Sequence, residues 1–498
     1  MDFLRCIIFL CLTWILIQTF HMIQRRKENP KKLPPGPKPF PVIGNLLDLG
    51  YTPHKSLAKL AKAHGPIMCL KLGRVTTIII SSANTAKQVL QTHDQLLSNR
   101  TIPDALRAHK QDMFGLPWIP VSTHWRNLRK ICNGQLFASK TLDSNQDIRR
   151  KKIQELLAET HRSSLTGEAV DVGRAAFKTA LNLLSSTIFS VDLADPNSDT
   201  TREFKEIVRN IMSEVGRPNL ADFFPMLKQI DPQGIRRRVT IHFGKIIDLF
   251  DRMISQRLKQ KKLSGPMANS DMLDTLLNIS EENSEEMDKS KIQHLFVDLF
   301  VAGTDTTSAT LEWAMAELLH NPEILSKVKT ELEQVIGKGN PVEESDIARL
   351  PYLQAVVKET FRLHPVVPFL VPRKAEADVE INGYIIPKDA QVLVNAWAIG
   401  RDPNLWENAN SFMPERFLGS EIDFKGRNFE LIPFGSGRRI CPGLPLAIRM
   451  LHLMLGSLVH TFDWKLEDGV KREDMSMEDK FGLSLHFAHP LRAVPIPL

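Results

Sequence analysis

One short segment of the chain combines the residue types needed to bind a flat, acidic metal-containing group. Residues 434–443, FGSGRRICPG, place a single cysteine after two arginines in a loop with three glycines. A thiolate is a soft ligand that suits iron, and guanidinium groups suit carboxylates. The apolar stretch from Leu444 predicts a helix, and a helix start lowers the pKa of a nearby thiol. We therefore expect Cys441 to be a metal-ligating thiolate.

The spacing in this loop is more specific than its composition. The pattern Phe434-x-x-Gly437-x-Arg439-x-Cys441-x-Gly443 resembles the haem-binding signature of the cytochrome P-450 family. A buried structural cysteine is the alternative for a lone cysteine, and zinc is disfavoured because no second Cys or His stands at ligand spacing. The resemblance implies haem b (iron protoporphyrin IX), with Cys441 as axial iron ligand and Phe434 beside the cofactor. It also implies a mainly α fold with a smaller β-rich part.

A second segment adds groups that handle protons. Residues 296–319, FVDLFVAGTDTTSATLEWAMAELL, are apolar nearly all round and predict a helix through the protein's centre. Thr306 can bond back to a carbonyl and leave room for water. A packing patch with satisfied polar groups is the alternative. The resemblance implies that the Thr306 hydroxyl steadies dioxygen and that Asp305 relays the protons that break the O–O bond.

Several basic residues gain a role only through the resemblance. Trp125 and Arg129 are four residues apart in HWRNLRKI, which by itself describes an ordinary amphipathic helix. The resemblance implies that both hydrogen-bond the haem propionates, with Arg373 and Arg439 as further partners.

An acidic and two basic residues suggest a structural network. Glu359 and Arg362 lie three residues apart, a spacing that usually marks a solvated helix surface. Pro414-Glu415-Arg416-Phe417 supplies the second half of a family pattern. The resemblance implies a buried network of Glu359, Arg362 and Arg416 that fixes the loop carrying Cys441.

The first part of the chain predicts attachment to a membrane. Residues 3–23 form an apolar run long enough to span a bilayer. A cleaved signal peptide is disfavoured because the run is long for an h-region and no small-x-small site follows. Basic residues between 25 and 32 predict a cytosolic catalytic domain. We expect a single-pass anchor at residues 1–24, a basic and proline-rich linker at 25–42 and a catalytic domain at 43–498, on the endoplasmic reticulum membrane.

Charge and cysteine content argue against a nucleic-acid-binding protein and against a disulfide-stabilised one. The net charge is +7, but no nucleic-acid motif is recognised, so membrane lipid is the expected partner and nucleic acid is not. The five cysteines are odd in number and scattered, which does not indicate a disulfide framework. The 498 residues exceed the usual single core, yet no linker after residue 42 is convincing.

The remaining pattern is mostly helical. Residues 67–72 and 76–80 predict a hairpin. Residues 379–381 and 384–386 predict a second hairpin around Asn382-Gly383, which residues 391–395 extend. Helical spacing covers residues 57–64, 147–160, 202–215 and 241–259.

The substrate prediction rests on less distinctive segments. Those expected to line the pocket by family analogy are rich in Phe, Leu, Val and Pro, so the ligand is expected to be apolar. The candidate lining residues are Phe114, Phe296, Leu299, Ala302, Val367, Phe369 and Leu483. Residues 216–225, 231–236 and 394–402 are similar to the plant subfamily that contains geraniol 8-hydroxylases.

The resemblance as a whole implies hydroxylation of a small apolar plant metabolite with O2. Electrons would come from NADPH through a separate NADPH-cytochrome reductase, since the chain has no flavin or dinucleotide fingerprint. The most specific expectation is 8-hydroxylation of a monoterpene alcohol such as geraniol, in terpenoid or iridoid biosynthesis. Another terpenoid, an alkaloid or a phenolic is the alternative substrate. A haem sensor or electron carrier is the non-enzymatic alternative.

Overall fold

The computed structural model describes residues 32–194, 200–264, 271–285, 287–467 and 469–498. The predicted anchor at residues 1–24 and residues 25–31 of the predicted linker lie outside the described residues. The rest of the linker, from Lys32 onward, runs without regular structure to a bridge between Phe40 and Gly44.

Helices make up most of the described chain, as the sequence predicts. All four segments with helical spacing lie inside longer helices. The α-helices are α1 (Pro53–His64), α2 (Ala83–Lys87), α3 (Asp94–Leu97), α4 (Gln111–Phe114), α5 (Thr123–Ile131), α6 (Ser139–Ser144), α7 (Gln146–Thr166), α8 (Val172–Phe189), α9 (Thr200–Gly216), α10 (Leu220–Phe223), α11 (Ile235–Ser264), α12 (Met272–Glu282), α13 (Lys289–His320), α14 (Pro322–Ile336), α15 (Pro351–Leu363), α16 (Ala396–Ile399) and α17 (Leu444–Thr461).

Shorter helical turns connect these elements. Two are π-helical turns that directly continue α2 and α5. The π turns are Gln88–Thr92 and Cys132–Leu136, and the 3₁₀ turns are Leu46–Leu49, Asp104–Lys110, Pro225–Gln229, Glu344–Arg349, Pro414–Phe417, Gly437–Arg439 and Arg472–Asp474.

The strands form small sheets at the side of the helical body. A five-stranded sheet has the order β1-β2-β8-β5-β3, a three-stranded sheet the order β4-β12-β9, and β6-β7 and β10-β11 are separate pairs. The strands are β1 (Ile67–Leu72), β2 (Val75–Ile80), β3 (Asn99–Arg100), β4 (Val170–Asp171), β5 (Arg373–Lys374), β6 (Val379–Ile381), β7 (Tyr384–Ile386), β8 (Gln391–Val394), β9 (Phe462–Leu466), β10 (Asp479–Lys480), β11 (His486–Phe487) and β12 (Arg492–Pro497).

Both predicted hairpins are present, but the predicted extension of the second one is wrong. Strand β8 does not join β6 and β7; it lies parallel to β2, with Gln391 opposite Thr77 and Val394 opposite Ile80. Its three apolar residues from Val392 onward are all buried, because β8 has neighbours on both sides in the five-stranded sheet. A continuous apolar run is typical of such an internal strand.

The long helix α13 passes through the middle of the fold. The side chain of Asp288 caps its start by accepting a hydrogen bond from the N–H of Lys291. Buried residues occur on every side of the helix from Ile292 to Leu319, and α8, α11 and α17 pack against it. This all-round burial places the Asp305 region of the helix in the interior.

Helix α17 follows the cysteine loop and lies in the same core. Within the part of the chain that the structure describes, it has the length and mean hydropathy, 1.3, that could cross a membrane. Its residues from Met450 to Val459 are buried against other helices, so its apolar character is explained by packing inside the protein. The helix thereby holds the loop that precedes it against the core.

Candidate active site

The cysteine loop is a tight turn closed by a backbone hydrogen bond. The N–H of Cys441 donates to the carbonyl of Phe434 at 3.0 Å. Gly435 and Gly437 have φ angles of 70° and 69°, a conformation that favours glycine. A side chain at Gly437 would also collide with the carbonyl of Leu90, since an added Cβ lies 2.1 Å from that oxygen. The loop therefore requires these glycines for its path and not only for its flexibility.

The electrostatics of Cys441 differ from the expectation. Burial raises the pKa of the Cys441 thiol, while the N–H groups of Gly443 and Leu444 and the guanidinium of Arg129 act in the opposite direction. The predicted lowering of this pKa is therefore wrong in its net direction, because burial outweighs the helix start. A cationic metal at the sulfur is the kind of partner that makes a buried thiolate stable.

Two of the predicted cofactor-binding arginines are buried with their donors directed at backbone carbonyls. Arg439 donates to Ser98, Leu116 and Ile119 at 3.0, 3.2 and 2.6 Å. Burial, together with the charges of Arg373 and Arg129, lowers its pKa to about 10.

Arg373 forms the other half of this arrangement. It donates to Asp94 at 3.2 Å and to the carbonyls of Leu97 and Ser436 at 3.1 and 3.4 Å. Arg439 therefore connects the cysteine loop to residues 94–119, and Arg373 connects β5 to the same residues.

A third arginine, which the sequence analysis missed, completes a cationic cluster. Arg100 donates to the carbonyls of Pro117 and Val371 at 3.1 and 2.6 Å. Burial and then the charges of Arg373 and Arg439 lower its pKa well below the ordinary value, with Asp94 acting in the opposite direction. Strand pairing of β3 with β5 places Arg100 opposite Arg373, and no local sequence signal indicates that contact.

This cluster carries more positive charge than its own residues neutralise. The charges of Arg373 and Arg439 lower the pKa of Arg100, and the charge of Arg373 lowers that of Arg439. Asp94 is the one acid that acts in the opposite direction on Arg100, Arg373 and Arg439. Buried like charges are stabilised when an anionic group binds between them. The donor set therefore suits a ligand with more than one carboxylate.

Helix α5 supplies the remaining predicted cofactor residues. Trp125 is buried, and the guanidinium of Arg439 lies over its indole ring at 4.7 Å from the ring centroid. Arg129, one turn later, is half-buried, and burial lowers its pKa while Cys441 and Cys132 act in the opposite direction. The structure therefore brings Trp125, Arg129, Arg439 and Cys441 to one place.

The central helix presents the predicted acid and hydroxyl. The hydroxyl of Thr306 donates to the carbonyl of Ala302 at 2.7 Å, the back-bonding that its position suggests. Asp305 is buried and accepts a hydrogen bond from Ser484 at 2.6 Å, with His486 also in contact. The sequence analysis missed His486, because β11 and α13 are about 180 residues apart along the chain.

Two members of the predicted structural network are fully buried, and the third is nearly so. Arg362 donates through two nitrogens to the two oxygens of Glu359, each at 2.7 Å, and both side chains have 0% exposure. Arg416 donates to the same carboxylate at 3.1 Å. The adjacent Phe361 packs edge-on against Phe434, with ring centroids 5.2 Å apart. Helix α15 therefore connects this network to the start of the cysteine loop.

Two of the predicted pocket residues line a cavity. Phe369 and Leu483 border a cavity of about 140 Å³ whose other walls include residues 215–219, α1 and the five-stranded sheet. Its lining is mostly apolar, which suits a largely hydrocarbon ligand.

The other predicted pocket residues lie elsewhere. Phe114 is half-buried and stacks on His294, with ring centroids 4.9 Å apart. Ala302 is exposed on α13, and Val367 is half-buried after α15. None of these three borders the cavity that Phe369 lines.

Phe296 is not a pocket residue in this structure. Its side chain has 0% exposure and packs against Phe189 and Phe250, with centroid separations of 5.0 and 5.8 Å. Leu299 is also buried within this hydrophobic core. Helical periodicity explains the difference: Phe296 and Phe300 share the face of α13 that meets α8 and α11.

Comparison with known proteins decides the family. The model of the cytochrome P-450 family matches residues 34–487. The chain is a cytochrome P-450. Geraniol 8-hydroxylases from Swertia mussotii and Catharanthus roseus are each 57% identical to this P-450, over 497 and 498 residues. These alignments cover 100% of this chain and 99% and 100% of the relatives.

A further relative shows how broad the similarity is. Drimenol monooxygenase of Persicaria hydropiper is 53% identical over 495 residues, which are 99% of this P-450 and 97% of the relative. The chain is therefore a cytochrome P-450 monooxygenase related to plant terpenoid hydroxylases.

The family implies haem, and the residues present fit that group. A thiolate at Cys441 can ligate iron, and the cationic cluster of Arg100, Arg373 and Arg439 suits two propionates. A Cβ at Gly435 would meet only Leu370, at 3.9 Å, so the absence of a side chain there lets a flat macrocycle approach the loop backbone.

Proposed function

We propose that this P-450 binds haem b through Cys441 and uses it to hydroxylate a monoterpene alcohol. Haem bound there supplies the activation of dioxygen and the oxidation of a C–H bond. Trp125, Arg129 and the cationic cluster hold the propionates, while Phe434 lies beside the macrocycle. The support is the set of donors around Cys441 and the match to a P-450 relative over the full length of both chains.

Ligation by Cys441 has a direct spectroscopic test. We expect Cys441→Ser to keep the fold and to lose the thiolate-type spectrum of the reduced carbon monoxide complex. Cys69→Ser is the matched control, because Cys69 is a half-buried free thiol on β1. A thiolate-type spectrum in the Cys441→Ser variant would overturn the assignment.

The proposed roles on α13 concern protons and dioxygen. The net reaction takes a substrate R–H, O2, two electrons and two protons to R–OH and water. Two protons must therefore reach the interior in every turnover. We assign their transfer to Asp305 and the positioning of dioxygen to Thr306, whose hydroxyl lies on the same helix turn.

The substrate proposal follows from the relatives and from the apolar cavity. Two relatives that this chain matches over its full length are named for geraniol 8-hydroxylation, and another is named for drimenol. A geranylhydroquinone 3''-hydroxylase of Arnebia euchroma is 51% identical over 481 residues. All three names describe isoprenoid alcohols or phenols. We therefore favour geraniol, hydroxylated at carbon 8, over an alkaloid.

The proposal includes the location of the protein in the cell and its source of electrons. Residues 1–24 anchor the chain in the endoplasmic reticulum membrane, 25–42 form the linker, and 43–498 form the cytosolic catalytic domain. Electrons come from NADPH through a separate reductase. Exposed Arg126, Lys130 and Arg438 offer a basic surface for that acidic donor, although Arg438 also pairs with Asp94 at 2.7 Å.

A product panel tests the substrate class. The full chain, a plant NADPH-cytochrome reductase and NADPH are incubated separately with geraniol, a sesquiterpene alcohol, an alkaloid and a phenolic. We expect a diol from geraniol at a higher rate than any other product. Turnover of the alkaloid or phenolic with no diol from geraniol would replace the terpenoid proposal by the alternative.

A further inference from the structure

The acid of the central helix is held by the C-terminal part of the chain. The hydroxyl of Ser484 donates to one carboxylate oxygen of Asp305 at 2.6 Å. His486 Nε2 lies 3.3 Å from the other oxygen and 3.0 Å from the Ser484 hydroxyl. The exposed fractions of the His486 and Asp305 side chains are 14% and 3%. The Asp305 side chain is thus almost fully enclosed, whereas that of its partner His486 is slightly exposed.

A small cavity borders both His486 and Asp305. It has a volume of about 20 Å³ and is bordered by Asp305, His486 and Glu312 and by Lys205 and Arg209 of α9. A space of this size holds about one water molecule when polar groups surround it. Pro490, which is exposed, is part of the same wall, so the cavity borders the protein surface.

The charged groups around the cavity are of both signs. Lys205 pairs with Asp171 at 3.8 Å, and burial lowers the Lys205 pKa. Burial raises the pKa of Glu312, while the Leu491 N–H, from which Glu312 accepts a bond at 2.9 Å, opposes the shift.

Other charged residues meet His486 from the strand beside it. Lys480 of β10 is its partner in the β10–β11 pair and is exposed. Asp479 of the same strand is held by Lys55 at 2.7 Å and contacts His54. Of the carboxylates around His486, Asp305 is therefore the one in direct contact with its imidazole.

We propose that His486 supplies protons from this cavity to Asp305. In each delivery the imidazole takes one proton from cavity water and gives one from Nε2 to the carboxylate of Asp305. The imidazole is then neutral with its proton on Nδ1, exchange through water returns that proton to Nε2, and solvent restores the proton taken from the cavity water. Histidine suits this role because its ordinary pKa lies near neutral pH. Ser484 keeps the carboxylate oriented through its hydrogen bond.

His486 is a positioning residue in this scheme, since it acts through Asp305. The inference rests on the proton role proposed above for Asp305. A purely structural role, in which β11 only ties the C-terminal segment to α13, predicts a different outcome in the experiment that follows.

The test compares two ways of driving the same hydroxylation. With NADPH and O2, two protons come from solvent in each turnover. With hydrogen peroxide, R–H and H2O2 give R–OH and water, and no net proton is drawn from solvent. Any substrate that the product panel identifies will serve, so failure with geraniol leaves the test intact. The full chain, its reductase and the variants His486→Gln and His489→Gln are used.

His489→Gln is the matched control, because His489 is exposed three residues along the same segment. We expect His486→Gln to lose about tenfold or more of the NADPH-supported rate, with the peroxide-supported rate within about twofold of wild type. His489→Gln is expected to change neither rate. Equal losses in both reactions, or no loss in either, would overturn the proposal.

Two more measurements separate this inference from the role of Asp305. If Asp305→Asn lowers the NADPH-supported rate and His486→Gln does not, only the inference about His486 fails. If Asp305→Asn retains the full rate, the proposed proton role of Asp305 fails with it. Independently of turnover, the imidazole NMR signal lost in His486→Gln is expected to shift in Asp305→Asn. An unchanged signal would contradict the contact.

Discussion

The carboxylate of Asp298 accepts a hydrogen bond from the backbone N–H of Leu116 at 2.7 Å. Gln111 donates to the other oxygen of the same carboxylate at 2.6 Å, and Gln111 in turn contacts His294 at 2.6 Å. Asp298 lies on α13, two turns before Thr306, so this acid joins the segment before α5 to the central helix. Burial raises its pKa to about 8, while its two hydrogen bonds oppose the shift.

The raised pKa of Asp298 predicts a pH-dependent stability. The folded chain keeps the carboxyl proton up to about pH 8, whereas the unfolded chain loses it near the ordinary pKa of 3.8. The folded state therefore binds more protons between these values, and its stability falls as the pH rises through that window. We expect Asp298→Asn to make the unfolding temperature less dependent on pH between about 5 and 8.

Asp112→Asn is the control for this measurement. Asp112 lies on α4, beside Gln111, and is half-buried. We expect this variant to keep the wild-type pH profile in thermal unfolding of the full chain. A profile that is equally steep in Asp298→Asn and wild type would show that Asp298 does not keep its proton.

The surroundings of Phe296 and Phe369 predict different effects of replacing each phenylalanine by alanine, on stability in one case and on the products in the other. Phe369 borders the cavity and is half-buried, so Phe369→Ala is expected to change the ratio of hydroxylated products with a small loss of stability. Phe296 is enclosed by other rings, so Phe296→Ala is expected to lower the free energy of unfolding by about 3–5 kcal/mol. Product analysis and chemical denaturation of both variants check this.

The two variants serve as controls for each other, because each replaces one phenylalanine by alanine and so removes a phenyl ring. A changed product ratio in Phe296→Ala with unchanged stability would place Phe296 at the substrate after all. An unchanged ratio in Phe369→Ala would remove the cavity from the substrate's path.

The buried network predicts a large loss of stability when one partner changes. Glu359→Gln removes the charge that balances Arg362 and Arg416, all of them buried or nearly so. Breaking a buried ion pair in this way costs about 3–5 kcal/mol. The exposed pair Glu467 and Arg492 offers a control, since Glu467→Gln is expected to cost about 1 kcal/mol or less.

Denaturation of both variants by urea measures the difference. Similar small losses in the two variants would mean that water reaches the Glu359 network. Retained haem in Glu359→Gln with lowered stability would show that the network supports the fold without holding the cofactor directly.

Local patterns in the sequence were sufficient to predict much of the fold. The hairpin of β1 and β2 has its own turn at Gly73, and the long helix α13 has its own cap at Asp288. Such elements depend on residues close together in the chain. The position of β8 depends instead on its pairing with β2, more than 300 residues earlier, and the apolar run of β8 suits either arrangement.

The same distinction applies to the site. The cysteine loop is one contiguous segment, so its pattern alone was sufficient to predict an iron ligand and to indicate the family, and the family is confirmed. Arg100 becomes part of the site only through the pairing of β3 with β5, and His486 only through contact with α13. Phe296 shows the reverse case: it stands in the right segment, but the helix turns its ring into the core.

The most direct test of the proposed function follows one oxygen atom. The full chain and reductase are supplied with NADPH, geraniol and ¹⁸O-labelled dioxygen in unlabelled water, and the product is analysed by mass spectrometry. We predict a diol hydroxylated at carbon 8 that carries a single ¹⁸O atom and forms only with NADPH. Absence of the diol, or a diol whose new oxygen comes from water, would contradict the proposal.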